Sequence, residues 1–188
     1  MIFLRRTLLL LLLCGQASAL EFKQVQTNES TVTFAYRQIG VPLDGKFSKF
    51  SAQVSFDPAK IASAQARIDI DVASIDTGSE EGNDAVVGKL WFNAKTFPTA
   101  SLVSSGLKAL GGNRYEATGK LSIKCKTLEV KAPVTFQATG SHGAFDGSFN
   151  INRLDYAIGD GEWTDVGTVA NEIQIKFHLV VNAAPGKK

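Results

Sequence analysis

Apolar and polar residues alternate with a period of two along most of this chain. The clearest run places apolar residues at Ala64, Ala66, Ile68, Ile70 and Val72, with polar or charged residues between them. Such alternation is typical of a β-strand that buries one face. Counted with this run, the predicted strands number about eight. The others span residues 31–36, 50–56, 100–104, 115–125, 128–138, 145–151 and 173–179.

The segments between these runs carry turn residues and one departure from period two. Gly111-Gly112-Asn113 and Asp160-Gly161 are typical turn sequences. Residues 84–93 read instead as a short helix capped by Asn83 or Asp84. We therefore expect an all-β fold, an eight-stranded antiparallel barrel with a short helix near 84–93, because closure removes exposed strand edges.

The first 19 residues have the features of an export signal. Arg5 and Arg6 form a basic start, an apolar run follows from Leu8 to Cys14, and Ala17-Ser18-Ala19 fits a signal-peptidase site. The run is too short to span a bilayer, which takes about 20 apolar residues. We expect cleavage after Ala19, a periplasmic location, and a single barrel domain over residues 20–188.

Charge and cysteine content change after this cleavage. The 20 basic residues fall to 18 when Arg5 and Arg6 leave, which equals the 18 acidic residues. A net charge of zero argues against a nucleic-acid partner. Cys14 also leaves, so Cys125 remains the single thiol, and its inward parity predicts an inert buried side chain.

Residue types that carry catalysis or bind metals are sparse. The two histidines, His142 and His178, stand far apart, and no nucleophile elbow, zinc-binding or phosphate-binding motif occurs. The acidic stretch 74–84, with Asp69 and Asp71 upstream, lacks the ligand spacing of an EF-hand. We therefore expect no catalytic residue, no metal site and no cofactor, and a protein that is not an enzyme.

Several stretches resemble the YceI-like family, also called lipocalin-like polyisoprenoid-binding proteins, in order and spacing. These are SIDTG at 74–78, WFNAKTFPTASLVS at 91–104, GKLSIKCKTLEVKAPVTF at 119–136, FNINRLDYAIGDGEW at 149–163 and VANEIQIKFHLV at 169–180. The resemblance implies an exported lipocalin-like barrel whose apolar tunnel holds an isoprenoid chain, such as a prenyl diphosphate, a quinone tail or a similar amphiphile. Two residues depart from the family pattern: Asn83 replaces a usual Arg, and Cys125 replaces a usual Gly.

Large inward-facing side chains are the candidate ligand-binding residues. They are Phe34, Tyr36, Phe50, Phe56, Trp91, Phe92, Phe97, Tyr115, Leu121, Phe136, Phe149 and Phe177. Alternation alone does not distinguish a tunnel from a solid core, because eight strands enclose a space that side chains can fill. Candidates for a headgroup contact at the mouth are Asn83, Asp84 and Arg153, although Arg153 could instead pair with Asp155 at the surface.

The expected function is a binding or carrier protein that sequesters an amphiphilic lipid. An accessory protein that presents a quinone to a membrane electron-transfer partner and a ligand-free stress-related interaction module are the alternatives. The lysines at 120, 124, 126 and 131 form a modest basic face, either solvated or in transient contact with an anionic membrane. A homodimer would be in keeping with the resemblance.

Overall fold

A computed structural model describes residues 20–184 as one antiparallel sheet of eleven strands with a single α-helix, α1 (Glu80–Val87). The predicted signal peptide lies outside the described residues. No helix within residues 20–184 is long and apolar enough to cross a membrane. The strands are β1 (Phe22–Val25), β2 (Thr31–Gln38), β3 (Val41–Phe47), β4 (Phe50–Ser55), β5 (Gln65–Asp71), β6 (Ile75–Asp76), β7 (Thr99–Gly111), β8 (Arg114–Ile123), β9 (Lys126–Thr139), β10 (His142–Asn152) and β11 (Glu172–Ala183).

The sheet curls until its two ends meet. Its strand order is β4-β5-β7-β8-β9-β10-β11-β2-β3-β6, and β1 pairs with β11. The chain runs from β3 into β4 through the two residues Ser48 and Lys49, and from β5 into β6 through a 3-10 turn, Val72–Ser74. The first strand in the order is thus continuous in the chain with its ninth, so bent strands close the wall.

The predicted fold class is confirmed, but the predicted count of eight strands is too low. Each predicted run corresponds to one observed strand, and β1, β3 and β6 are additional. β1 and β6 have only four and two residues, too few to show a period. β3 has the sequence VPLDGKF, in which Pro42 and Asp44-Gly45 resemble a turn.

The helix begins earlier than the sequence predicts. α1 starts at Glu80, and the Ser79 hydroxyl accepts a hydrogen bond from the Gly82 N–H at 3.1 Å. Ser79 is therefore the N-cap, and the prediction of Asn83 or Asp84 is wrong. The helix ends at Val87 with Gly88 as its C-cap, and residues 89–92 form turns.

The β8–β9 hairpin contradicts two further predictions. β8 ends at Ile123, so Lys124 and Cys125 form a two-residue turn in which Lys124 has φ +54°. Period two stops at this turn, and Cys125 is exposed, not buried. Lys124 does not belong to the solvated basic face, since its side chain is only 9 % exposed.

The two ends of the barrel differ in what closes them. At the packed end, which carries the β7–β8 and β9–β10 hairpins, β1 and Phe56 cover the opening: Phe22 and Phe56 exchange backbone hydrogen bonds of 2.8 and 3.0 Å. At the mouth end lie α1, the β2–β3 turn at Ile39-Gly40 and the segment between β10 and β11, residues 153–171. The mouth end is therefore built from irregular chain.

Candidate ligand cavity

An apolar cavity of about 350 Å³ occupies the half of the barrel nearest the mouth end. Inward-facing residues of β2, β5, β8, β10 and β11 form its wall, and α1 and the 153–171 segment border its outer part. A volume of this size falls within the range of small-molecule sites. The aliphatic part of the wall consists of Val32, Ile68, Ile70, Val72, Ile75, Ala85, Val86, Ala100, Leu102, Leu121, Ile123, Ile151, Ile158, Val169, Ile173 and Ile175.

Strand β11 shows directly that this half of the barrel is hollow. Ile173, Ile175 and Phe177 face inward, opposite Ile151, Phe149 and Gly147 of β10. All three are nevertheless only half-buried, whereas Leu179, which faces inward on the same strand, is 3 % exposed. Inward side chains with free surface border an empty volume, so the solid-core alternative does not hold for this half of the barrel.

A second cavity of about 100 Å³ lies deeper, toward the packed end. Four residues, Ile68, Leu102, Phe149 and Phe177, line both cavities. We call the larger cavity the outer chamber and the smaller cavity the inner chamber. The four shared residues lie between the two chambers and form a constriction.

The predicted lining residues separate into three groups. Phe34, Tyr36, Trp91, Phe92, Leu121, Phe149 and Phe177 line the outer chamber. Phe56 lines the inner chamber, again with Phe149 and Phe177. Phe50, Phe97, Tyr115 and Phe136 line neither cavity.

Packing explains why Tyr115 and Phe136 leave no void beside them. Tyr115 packs edge-on against Phe56 at 5.7 Å between ring centroids, and Phe136 lies 4.5 to 5.0 Å from Phe22, Phe56 and Phe145. Phe50 and Phe97 are half-buried outside both cavities. Sequence reasoning missed Thr77, Trp163 and Val169 in the outer wall. They lie in irregular segments that carry no periodic signal.

The mouth lies between the end of β2 and α1. The exposed residues of the outer-chamber wall are Gln38, Ser79, Glu81 and Ala85. Just inside, the Tyr36 hydroxyl donates to the Thr77 carbonyl at 3.3 Å. Burial raises the pKa of Tyr36, so this phenol stays neutral at physiological pH.

Asn83 and Asp84, two of the predicted headgroup contacts, lie beside the mouth without forming its wall. The Thr77 N–H and hydroxyl donate to Asn83 Oδ1 at 2.6 and 2.9 Å, and Asn83 Nδ2 donates to Asp76 at 3.4 Å. Asn83 thus joins α1 to the end of β6. The Gly78 N–H, with this amide, lowers the pKa of Asp76. Asp84 is exposed.

Arg153, the third predicted headgroup contact, does line the outer chamber but has no free donor. It is 1 % exposed, and all five N–H groups point toward backbone carbonyl oxygens. The acceptors and distances are Ala170 at 3.2 Å, Ile158 at 2.9 Å, Gly159 at 3.4 Å, Trp163 at 2.6 Å and Val169 at 2.8 Å. The alternative surface pair is also absent, since Asp155 accepts from Asn152.

A second buried cation braces the same region. Lys124 donates to the carbonyls of Trp91, at 3.0 Å, and Ala157, and lies 3.7 Å from the Asp160 carboxylate. Together Arg153 and Lys124 tie the 153–171 segment to the barrel. Burial lowers the pKa of the Arg153 guanidinium, but an arginine stays charged at any physiological pH.

Trp91 lies where these contacts meet the cavity wall. The centroid of its ring lies 5.3 Å from the centroid of the Trp163 ring and 5.4 Å from the Arg153 guanidinium carbon. Its indole Nε1 is buried and has no hydrogen-bond partner within residues 20–184. Buried donors are nearly always paired, so this one needs an explanation.

Carboxylate, histidine and cysteine side chains do not gather into a metal site in the described part of the chain. His142 contacts Asn182 and His178 contacts Asp146, both on the barrel exterior. Asp69 binds Arg67 and Ser101, also outside the barrel.

Comparison with known sequences gives one family. The model of the YceI-like domain matches residues 24–181. A UPF0312 protein of Azotobacter vinelandii is 26 % identical over 173 residues, which cover 88 % of each chain. A UPF0312 protein of Pseudomonas fluorescens is 27 % identical over 172 residues, covering 86 % of this chain and 79 % of its own.

Solved structures with the same fold include one with substantial sequence identity. BcnA of Burkholderia cenocepacia is 50 % identical, with a TM-score of 0.81 over 84 % of this chain and 99 % of its own. A polyisoprenoid binding domain from Saccharophagus degradans is 15 % identical, with a TM-score of 0.63 over 88 % and 99 % of the two chains. At that identity the second likeness shows the fold alone.

Proposed function

The chain belongs to the YceI-like domain family, and on that premise we propose that it is a periplasmic carrier or scavenger of an isoprenoid-tailed or similar amphiphilic lipid. The observation that carries the proposal is the apolar cavity of about 350 Å³, open at the mouth end. Membership in this family, and a structural neighbour described as polyisoprenoid-binding, favour a binding protein over an enzyme.

Burial of the ligand chain supplies the affinity. At about 30 Å³ per small group, the volume of one liquid water, the outer chamber accepts roughly twelve carbon-sized groups. Each CH₂ removed from water contributes about 0.8 kcal/mol, or about 10 kcal/mol in total. Association costs at least about 4 kcal/mol. The remainder is at most about 6 kcal/mol, which corresponds to a Kd of tens of micromolar or weaker for the outer chamber alone.

Charges at the site favour an uncharged polar end over a diphosphate. Among the described residues, the charged members of the outer wall are Glu81 and Arg153. Arg153 has no donor to spare, and Glu81, exposed at the mouth, would repel an anion. A diphosphate leaving water here would find no cation to bind, so an alcohol or a quinone fits better.

The unpartnered Trp91 Nε1 is a further contact for such a ligand only if the indole ring turns. Trp91 belongs to the cavity wall, but its Nε1 is buried even from the cavity, so a ligand carbonyl or hydroxyl oxygen would reach it only after that movement. A hydrogen bond of this kind contributes about 1 kcal/mol, which is a few-fold in affinity.

The test begins with the exported protein. Its organic extract is analysed by mass spectrometry, and binding of a prenol is then compared with binding of the prenyl diphosphate of equal chain length. We expect the prenol to bind more tightly. Glu81→Gln should reduce the difference in affinity between the prenol and the diphosphate. Glu80 is a neighbouring exposed residue outside the wall, so Glu80→Gln should leave this difference unchanged. An empty extract and no binding of either lipid would refute the carrier function.

The electron-transfer alternative uses the same cavity, because a quinone is an uncharged head on an isoprenoid tail. Redox titration of a bound quinone, with and without membranes, distinguishes the two functions. A potential that membranes leave unchanged argues for a carrier. If no quinone and no other lipid binds, the ligand-free interaction module remains.

Export, membrane contact and dimer formation are further parts of the proposal. Intact mass of the exported protein tests cleavage after Ala19. Co-sedimentation with lipid vesicles tests transient membrane contact, for which the exposed Ile39, Val41 and Val166 at the mouth end are the apolar candidates. Sedimentation velocity tests the homodimer, and a single monomeric species would exclude it.

A further inference from the structure

The constriction between the two chambers contains the side chain of Phe177, whose ring lies over Gly147 of the neighbouring strand. We infer that Phe177 is a gate that sets the length of chain the protein binds, and that Gly147 keeps this gate open. The inference rests on the proposed function and adds to it a substrate class: prenyl chains long enough to pass from the outer chamber into the inner one.

Geometry at the β10–β11 pair places the ring against the wall. Gly147 and Phe177 are direct cross-strand partners that both face inward. A Cβ built on Gly147 would lie 2.4 Å from Phe177 Cζ and 3.0 Å from both Cε atoms. The ring therefore occupies the space that any side chain at position 147 would need. The Phe177 ring therefore lies along the wall, over Gly147.

Two other rings lie over glycines, but with different neighbours. A Cβ on Gly45 would meet Phe34 at 2.2 Å and also the Asp76 carbonyl oxygen at 2.7 Å. A Cβ on Gly143 would meet Phe136 at 2.6 Å and Phe22 at 3.2 Å, within the packed end. At Gly147 all three nearest atoms belong to the free end of the Phe177 ring.

This difference makes Gly147 the position where a substitution moves a ring without forcing the backbone. The first-contacted atoms are the far end of a rotatable side chain, and Phe177 borders a cavity on each side. A methyl group at 147 should turn the ring away from β10 and into the constriction, toward Ile68 and Leu102. The inner chamber would then be closed to a chain that enters from the mouth.

The volumes of the two chambers predict which chain lengths the protein binds with the gate open and with the gate closed. The inner chamber adds about 100 Å³ to the outer 350 Å³. At about 30 Å³ per group, that is roughly three carbon-sized groups beyond roughly twelve. With the gate open, the two chambers hold about three isoprene units, and with the gate closed little more than two.

The experiment measures the binding of C10, C15 and C20 prenols to four forms of the full mature chain. The wild type should gain affinity from C10 to C15 and little beyond. Gly147→Ala should lose about tenfold or more at C15, because the terminal unit stays in water, and should keep its C10 affinity. Ser148→Ala, the neighbouring residue with the opposite orientation, is the matched control and should follow the wild type.

A double variant identifies the ring as the cause. Gly147→Ala combined with Phe177→Ala should recover the C15 affinity, since no ring remains to close the constriction. Recovery of the C15 affinity supports the gate. A loss that persists in the double variant assigns the effect to the methyl group at position 147 and overturns the gate. Equal chain-length profiles for Gly147→Ala and the wild type also overturn it.

A ligand-free measurement separates this inference from the proposed function. In the Gly147→Ala variant, nuclear Overhauser contacts from the Phe177 ring to the methyl groups of Ile68 and Leu102 should strengthen. If no prenol binds to any form, the proposed function fails, and these contacts alone decide whether the ring moves. Unchanged contacts would refute the gate whether or not lipids bind.

Discussion

The packed end and the mouth end of this barrel have the same alternating pattern and opposite interiors. At the packed end, Phe136 and Phe145 lie 4.5 Å apart between ring centroids, Phe56 lies 4.7 and 5.1 Å from them, and Val181 has no exposed surface. Toward the mouth end, the same strand β11 carries inward residues that are only half-buried. Period two thus identifies which residues face inward, but it does not say whether they touch each other.

Local composition accounts for the difference. The packed end brings five aromatic rings from different parts of the chain into one layer, where edge-on contacts fill the space. Nearer the mouth, Phe34 and Phe177 each pair with a glycine, so their rings lie along the wall and do not meet across the lumen. Whether an aromatic residue fills the interior or lines the cavity thus depends on its cross-strand partner, which is a glycine for Phe34 and Phe177.

The two ends also rely on different interactions. Dispersion and apolar burial hold the packed end together. The mouth end depends on hydrogen bonds from Arg153 and Lys124 to carbonyl oxygens of irregular chain. A segment that borders a cavity cannot bury its backbone against a core, so buried cations satisfy its carbonyl groups instead.

The largest effect we predict compares two inward residues of β11. Leu179→Ala should cost about 3–4 kcal/mol of unfolding free energy, because its side chain is 3 % exposed and borders only the small inner chamber. Ile175→Ala, four residues away on the same face, should cost only about 1–2 kcal/mol, because its side chain already borders a void. Urea denaturation at equilibrium measures both. Equal losses would mean that the two halves are equally well packed in solution.

Removing the cation from the mouth end should have the next largest effect. Arg153→Met should cost about 2–3 kcal/mol, since five carbonyl acceptors lose their donor while the cost of burying a charge disappears. Proteolysis should then cut within residues 157–170 sooner than elsewhere in the barrel. Arg67→Met is the control, because its pair with Asp69, although bidentate, lies on the exposed face and contributes less than a buried set of hydrogen bonds. Equal stability of the two variants would contradict the bracing function of Arg153.

Part of this difference between the two ends could be predicted from the sequence. The part that could not be predicted has physical causes. Parity predicted that Phe34, Tyr36 and Leu121 face inward, and in the structure they line the cavity. It gave Tyr115 and Phe136 the same assignment, although they belong to the packed end, because cavity volume depends on which strands are neighbours. Arg153 was misjudged for a related reason: its acceptors lie 5 to 17 residues further along the chain.

The smallest predicted effect concerns backbone strain, which is also unequal between the ends. Hairpin turns at the packed end place Gly111, Gly112, Asn113 and Gly140 in the left-handed region, residue types that tolerate it. The β2–β3 turn at the mouth end places Ile39 there, at φ +50°, followed by Gly40 at +76°. Two positive φ values match a type I′ turn, for which Asn-Gly is the favoured sequence.

Ile39→Asn should therefore stabilise the protein. Ile39 is 75 % exposed, so the change loses almost no burial, and it removes a left-handed β-branched residue that costs about 1 kcal/mol. We expect the Tm to rise by about 2–4 °C in a calorimetric scan. Leu110→Asn is the control at the packed end: Leu110 is 49 % exposed in β7, where Asn disfavours the strand, so no gain should follow. A lower Tm for Ile39→Asn would show that the isoleucine packs against the mouth after all. A higher Tm combined with slower lipid exchange would mean that the mouth end keeps this strain for its function.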